Sequence, residues 1–150
     1  MNATKLLRED HAKVKTLFTR FEESGERAHK TKQHAVEQAM QELRTHTELE
    51  EDVFYPAVRA KGGELEQMIA ESLEEHHLVH ILIDELEALD PEDEAYEAKF
   101  TVLMENVRHH VEEEETELFP KVEKQMKDEL DELGERMKAR KGELQGAAQR

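Results

Sequence analysis

Sliding the chain against itself by 64 residues lays HTELEEDVFYP at 46–56 over HVEEEETELFP at 110–120, so that His46, Glu50, Glu51 and Pro56 fall on His110, Glu114, Glu115 and Pro120. A shift of 65 lays Glu9-Asp10-His11 over Glu74-Glu75-His76, with Val14 on Val79 and Leu17 on Leu82. Two copies of one helical hairpin account for both offsets. A chain built that way is confined to a pseudo-two-fold bundle, in which equivalent residues face one another across the centre.

Ala, Glu, Lys, Leu and Arg supply just over half of the residues, a composition of long helices. Six Gly and three Pro divide the 150 residues into helix-sized pieces. The pattern predicts a first helix from an N-cap at Asn2 to a stop at Ser24-Gly25, and a second from about Thr31 to Gly62-Gly63, kinked or interrupted at Pro56. A third covers about Glu64 to Leu89, and a fourth starts at Asp90-Pro91, as N-cap and N1 proline, and runs to about Pro120. A last amphipathic piece lays Met126, Leu130, Leu133 and Met137 over the bundle, and the tail GELQGAAQR is expected to fray. The expected fold is all-α: an up-down-up-down four-helix bundle over 1–125, with an additional short C-terminal helix and frayed tail over 126–150.

Charge and cysteine usage remove several classes of function. With 37 acidic against 21 basic side chains, a net charge of -16 repels a phosphate backbone, so nucleic acid is not an expected partner, while free cations are attracted. Zero Cys removes disulfides, thiolate metal sites and iron-sulfur clusters together. The N-terminal MNATKLLREDH has no apolar signal core, and no later run approaches the length of a membrane helix, so the expected location is the cytoplasm, with no membrane partner. The sequence sets no oligomeric state.

Each helix carries one inward stripe at helical spacing, and every stripe contains histidine. Leu7, His11, Val14, Phe18 and Phe21 form the first; Val36, Leu43, His46, Glu50 and Val53 the second. Leu65, Ile69, Leu73, His76, His80 and Ile83 form the third; Phe100, Leu103, Val107, His110, Glu114 and Leu118 the fourth. Imidazole with carboxylate, and without thiolate, suits iron, manganese or zinc. Five imidazoles (His11, His46, His76, His80, His110), two bridging carboxylates (Glu50, Glu114) and one oxo or hydroxo bridge fill eleven of the twelve positions of an octahedral pair, leaving one for dioxygen, hydrogen peroxide or nitric oxide. Without His80, whose repeat partner is Lys15, a second position opens and the chemistry moves from oxygen carriage towards reactive turnover.

One His on the first helix, HxxxE on the second and fourth and HxxxH on the third, in that order, resemble the hemerythrin family, and within it the small bacterial proteins with HHE cation-binding domains. The resemblance covers roughly residues 5 to 122. It implies a non-haem di-iron site in a four-helix bundle, one iron held by His76, His80 and His110 and the other by His11 and His46, with Glu50 and Glu114 bridging. The family's functions include oxygen carriage, oxygen or iron sensing and, in some members, peroxide removal. True hemerythrins place an Asp five residues after the fourth-helix His, whereas this chain has Glu at both +4 and +5; the repeat favours Glu114 over Glu115.

Other readings fit less well. A ferritin-like site needs Glu-x-x-His on two helices, and only Glu74 with His77 has that spacing within a core helix. Zinc hydrolysis lacks HExxH. His77 and His109 lie one position off the stripes and are expected in solvent or in an outer hydrogen bond, and His29 and His34 are read as surface residues. Phe54-Tyr55-Pro56 and Leu118-Phe119-Pro120 read first as packing around a kink and second as walls of a ligand pocket.

Overall fold

The computed structural model describes residues 1–25 and 28–148 and is helical throughout apart from its turns. α1 (Ala3–Glu23) is capped by Asn2, whose side chain accepts from the Lys5 amide. α2 (His29–Leu49) begins two residues before the expected start and continues through a π-helical turn (Glu50–Phe54) into the short α3 (Tyr55–Arg59). Gly62 and Gly63 turn the chain with left-handed backbone, at φ of 72° and 59°, into α4 (Gly63–Ala88). α5 (Glu94–Glu113) repeats the pattern: a second π-turn (Glu114–Leu118) leads into α6 (Phe119–Gln125), and α7 (Leu130–Ala148) ends the chain's described part.

Proline explains both π-turns. Pro56 and Pro120 have no amide to give to the carbonyl four residues back, and the ring would crowd that carbonyl. The chain answers not with a sharp kink but with one extra residue in the turn, so that Tyr55 donates to the Glu50 carbonyl and Phe119 to the Glu114 carbonyl. The extra residue rotates everything after the glutamate.

The start of α5 differs from expectation. Asp90 is not its N-cap: the Asp90 side chain accepts from the Glu92 amide in a preceding turn, and Asp93 caps the helix by accepting from Ala95. The tail differs too. Instead of fraying from Gly142, α7 stays helical to Ala148, and the last two residues, 149–150, lie outside the described residues, as do 26–27 in the first joint.

Two apolar clusters fill the interior. One gathers Val14, Leu17, Phe18 and Phe21 with Val36, Leu43, Val79, Ile83, Phe100 and Val107. The other gathers Leu6 and Leu7 with Phe54, Leu65, Ile69, Leu118 and Phe119, and is closed by Met126, Leu130, Leu133 and Met137, so the last amphipathic stripe is buried within its own chain. Between the clusters every rod of the bundle places histidine or glutamate in the core, all of them buried. Among the described residues no helix is long and apolar enough to cross a membrane.

Candidate metal centre

The polar band is the site. His11 of α1, His46 at the end of α2, His76 of α4 and His110 at the end of α5 are each at most 6% exposed, and Glu50 and Glu114, the first residues of the two π-turns, are 0% and 1% exposed. Glu50 Oε1 stands 3.0 Å from His46 Nε2 and 3.2 Å from His76 Nε2. Glu114 Oε1 stands 3.2 Å from His11 Nε2 and 3.4 Å from His110 Nε2. Each glutamate thus spans from its own helix to a histidine of the other hairpin. The ring pairs His11 with His46 and His76 with His110 repeat one geometry, 4.9 Å between centroids at 64°.

Every inward imidazole is held from behind by a carboxylate on its Nδ1. His11 meets Glu115 at 2.8 Å, His46 meets Asp10 at 3.1 Å, His76 meets Glu51 at 2.9 Å and His110 meets Glu75 at 2.9 Å. The repeat maps these pairs onto each other, His11 and Glu115 onto His76 and Glu51, His46 and Asp10 onto His110 and Glu75. A carboxylate on Nδ1 favours the tautomer that carries its proton there, which would leave each Nε2 to face a cation at the centre, the arrangement of a metal-ligating histidine.

The centre holds more buried polar atoms than hydrogen bonds to satisfy them. His11 Nε2, His46 Nε2, both oxygens of Glu50 and Oε1 of Glu114 are buried without a hydrogen-bond partner, the close approaches above being misaligned for one. Such atoms carry a large desolvation cost unless a cation joins them. Among the described residues, two groupings inside the band bring one ligating atom per residue within 4.8 Å of each other, His11, His46, Glu50 and Glu114, and Glu50, His76 and His110; a third, Glu75, His109 and Glu113, lies at the surface. The two inside the band share Glu50, so the residues fit two adjacent cations. The local field agrees: burial opposes a charge on His46, yet Glu50 and Asp10 overcome it and push the imidazole up to about 10. Glu114 is likewise held well below the usual carboxylate range, because His110 and His11 outweigh its burial.

His80 is not brought into this set. It is over one-third exposed, its Nε2 lies 2.9 Å from the Thr47 hydroxyl, and its approach to Glu51 is 3.9 Å. Glu115 serves behind His11 rather than replacing Glu114. His77, His29 and His34 are exposed, and His109, also exposed, pairs with Glu113 at 2.9 Å.

Spacing alone missed Tyr55. Its hydroxyl donates to Glu114 Oε2 at 2.7 Å and lies 3.1 Å from His76 Nε2. Burial, then Glu114 and Glu50, hold the phenol well above its ordinary pKa, so it keeps its proton. Its repeat partner Phe119 instead stacks on His11, 5.7 Å between centroids. Over the band lies a cavity of about 20 Å³ walled by the four histidines, Thr47, Val14, Leu43, Val79, Val107 and Val111. That is room for about one water-sized molecule. Neither Phe18 and Phe21 nor the Phe54-Tyr55-Pro56 segment walls this cavity.

Comparisons with known proteins point the same way. The profile of the hemerythrin HHE cation-binding domain matches residues 2–122. Among solved structures, a hemerythrin HHE cation-binding domain-containing protein from Mycobacterium kansasii aligns with a TM-score of 0.83 and 28% identity, over 99% of this chain and 90% of that one. Among curated proteins, a DNA nickase of Nostoc sp. is 30% identical over 146 residues, which are 97% of this chain and 40% of that protein. The chain spans two-fifths of that relative's length.

Proposed function

The chain belongs to the hemerythrin HHE cation-binding domain family, and from that premise we propose that it holds two irons, one by His11 and His46 and the other by His76 and His110, with Glu50 and Glu114 shared, and turns over hydrogen peroxide there. The observation that carries the reading is Glu50: both of its buried oxygens lack a hydrogen-bond partner, and it is shared by the two adjacent groupings of ligating atoms. An iron pair supplies two electrons, the number that separates peroxide from water and from dioxygen.

The chain's own residues do the rest. Glu115, Asp10, Glu51 and Glu75 fix the four imidazoles with their lone pairs inward. The valines and Leu43 keep the adjoining cavity dry and admit only a small ligand. Tyr55 holds a proton on its hydroxyl, directed at Glu114, on one side of the site only. With His80 bonded to Thr47, four imidazoles and two carboxylates would hold the pair, one imidazole fewer than a nearly saturated carrier would have, which favours turnover over carriage. Reversible dioxygen binding is the second reading, favoured by the apolar cavity.

Adding hydrogen peroxide to the iron-loaded protein separates the two. Sustained gas evolution with peroxide loss supports turnover; an air-dependent, reversible charge-transfer band without gas evolution replaces it with carriage. Nicking of DNA is not carried over from the Nostoc relative, since a chain of net charge -16 offers a phosphate backbone no counter-charge.

A further inference from the structure

α7 lies beyond the residues matched by the family profile, yet it reaches the outer side of the polar band. It runs parallel to α1 and in step with it. Gly134 packs on the backbone of the N-terminus, where an added Cβ would overlap the Met1 carbonyl oxygen and stand 2.8 Å from the Asn2 carbonyl carbon. Seven residues further along α7, and eight beyond Asn2, Lys141 Nζ donates to Asp10 Oδ1. The other oxygen of Asp10 accepts from His46 Nδ1 at 3.1 Å, and His46 Nε2 faces Glu50 at 3.0 Å.

We propose that Lys141 is a positioning residue of the metal centre: through Asp10 it fixes the orientation of His46, so that α7 belongs to the cation-holding apparatus and is not merely a cover for the bundle.

Three observations carry this. Of the four carboxylates behind the histidines, Asp10 is by far the most enclosed, its side chain 7% exposed against 34% for Glu51, 27% for Glu75 and 23% for Glu115. The other three can draw on water for their remaining lone pairs; Asp10 cannot, and a carboxylate so placed is stable and fixed in orientation only with a second charged donor. The repeat partner Glu75 has no lysine and, being wetter, needs none. Finally, position 141 lies on the inward stripe between buried Met137 and partly buried Leu144, where packing alone calls for an apolar side chain. Docking of the same stretch is already secured next door by Arg140, which reaches Asp52 at 2.9 Å and Glu48 at 3.7 Å.

The inference rests on the two-iron reading, and its test separates the two. Full-length protein is loaded with ferrous iron and challenged with a ferrous chelator. Lys141→Met and Lys141→Gln are expected to release iron about tenfold faster than wild type, at unchanged helix content, because outer partners of ligating histidines typically contribute that much to retention. Lys141→Arg is expected to restore most of the retention, and Arg140→Met, on the same helix, to keep it. In an Asp10→Asn background Lys141→Met is expected to add nothing. Wild-type release rates in both neutral variants overturn the proposal, as does equal acceleration by Arg140→Met or full additivity with Asp10→Asn. A wild-type chain that takes up no iron overturns the two-iron reading and this one with it.

Discussion

Tyr55 and Phe119 are the same position in the two halves of the chain, and they break its symmetry: the Tyr55 hydroxyl donates to Glu114 Oε2 at 2.7 Å, whereas the Phe119 ring stacks on His11. The remainder of the band obeys the pseudo-two-fold down to the carboxylates behind the histidines. The two proposed cation positions are therefore equivalent in their imidazoles and inequivalent in their access to a proton.

Tyr55→Phe removes one donor and leaves Glu114 Oε2 buried without a partner. In the metal-free protein this is expected to cost about 1 to 3 kcal/mol, read from the denaturant midpoint. An unchanged midpoint would mean that the phenol does not satisfy Glu114.

His46→Ala and His80→Ala distinguish a histidine inside the band from one outside it. The first is expected to weaken iron retention at least about tenfold. The second removes only a hydrogen bond to Thr47 and is expected to leave metal content at the wild-type level. Metal analysis of the purified variants decides, and equal losses would contradict the placement of His80.

Gly134→Ala tests the docking of α7 through the sign of its effect. In a free helix the change stabilises by about 1 kcal/mol. Here the new Cβ meets backbone, which cannot rotate away, so a net loss of about 1 to 3 kcal/mol is expected from chemical unfolding. A net gain would show that α7 does not sit against Met1 to Ala3.

Iron removal is expected to preserve the fold and weaken it. The apolar clusters on either side of the band do not depend on metal, so the helical circular dichroism should persist. Ligand bound at about a thousand times its dissociation constant adds about 4 kcal/mol, which for a chain of this size lowers the melting temperature by about 10 °C on removal. Loss of most of the helix signal would instead favour a scaffold whose folding requires the metal.

Much of this was legible in the sequence, for reasons that particular residues show. His11, His46, Glu50, His76, His110 and Glu114 could be named because each helix holds an apolar stripe at one period and the repeat fixes their common level. Asp10 with Glu75, and Glu51 with Glu115, were also visible as matched pairs beside the ligands, although spacing gave them no role. Tyr55 was hidden because a π-turn adds a residue, and each residue added turns the face by about 100°. The signal for it was Pro56, six residues after Glu50, as Pro120 is after Glu114. His80 misled because HxxxH puts two histidines nearly in line on one helix face, whereas in the fold the His80 ring sits beside the Thr47 hydroxyl, a partner far away in sequence that helical spacing does not reveal. The tail misled because its glycines and polar residues suggest fraying; Arg140 and Lys141 hold it through acids on the α2 rod and α1 that lie far away in sequence.

The most direct measurement is anomalous diffraction at the iron edge from crystals of the natively purified protein. Two adjacent peaks are expected in the band, one beside His11 and His46 and the other beside His76 and His110, with Glu50 and Glu114 between them. A band without peaks, or iron confined to the surface cluster of Glu75, His109 and Glu113, would contradict the account.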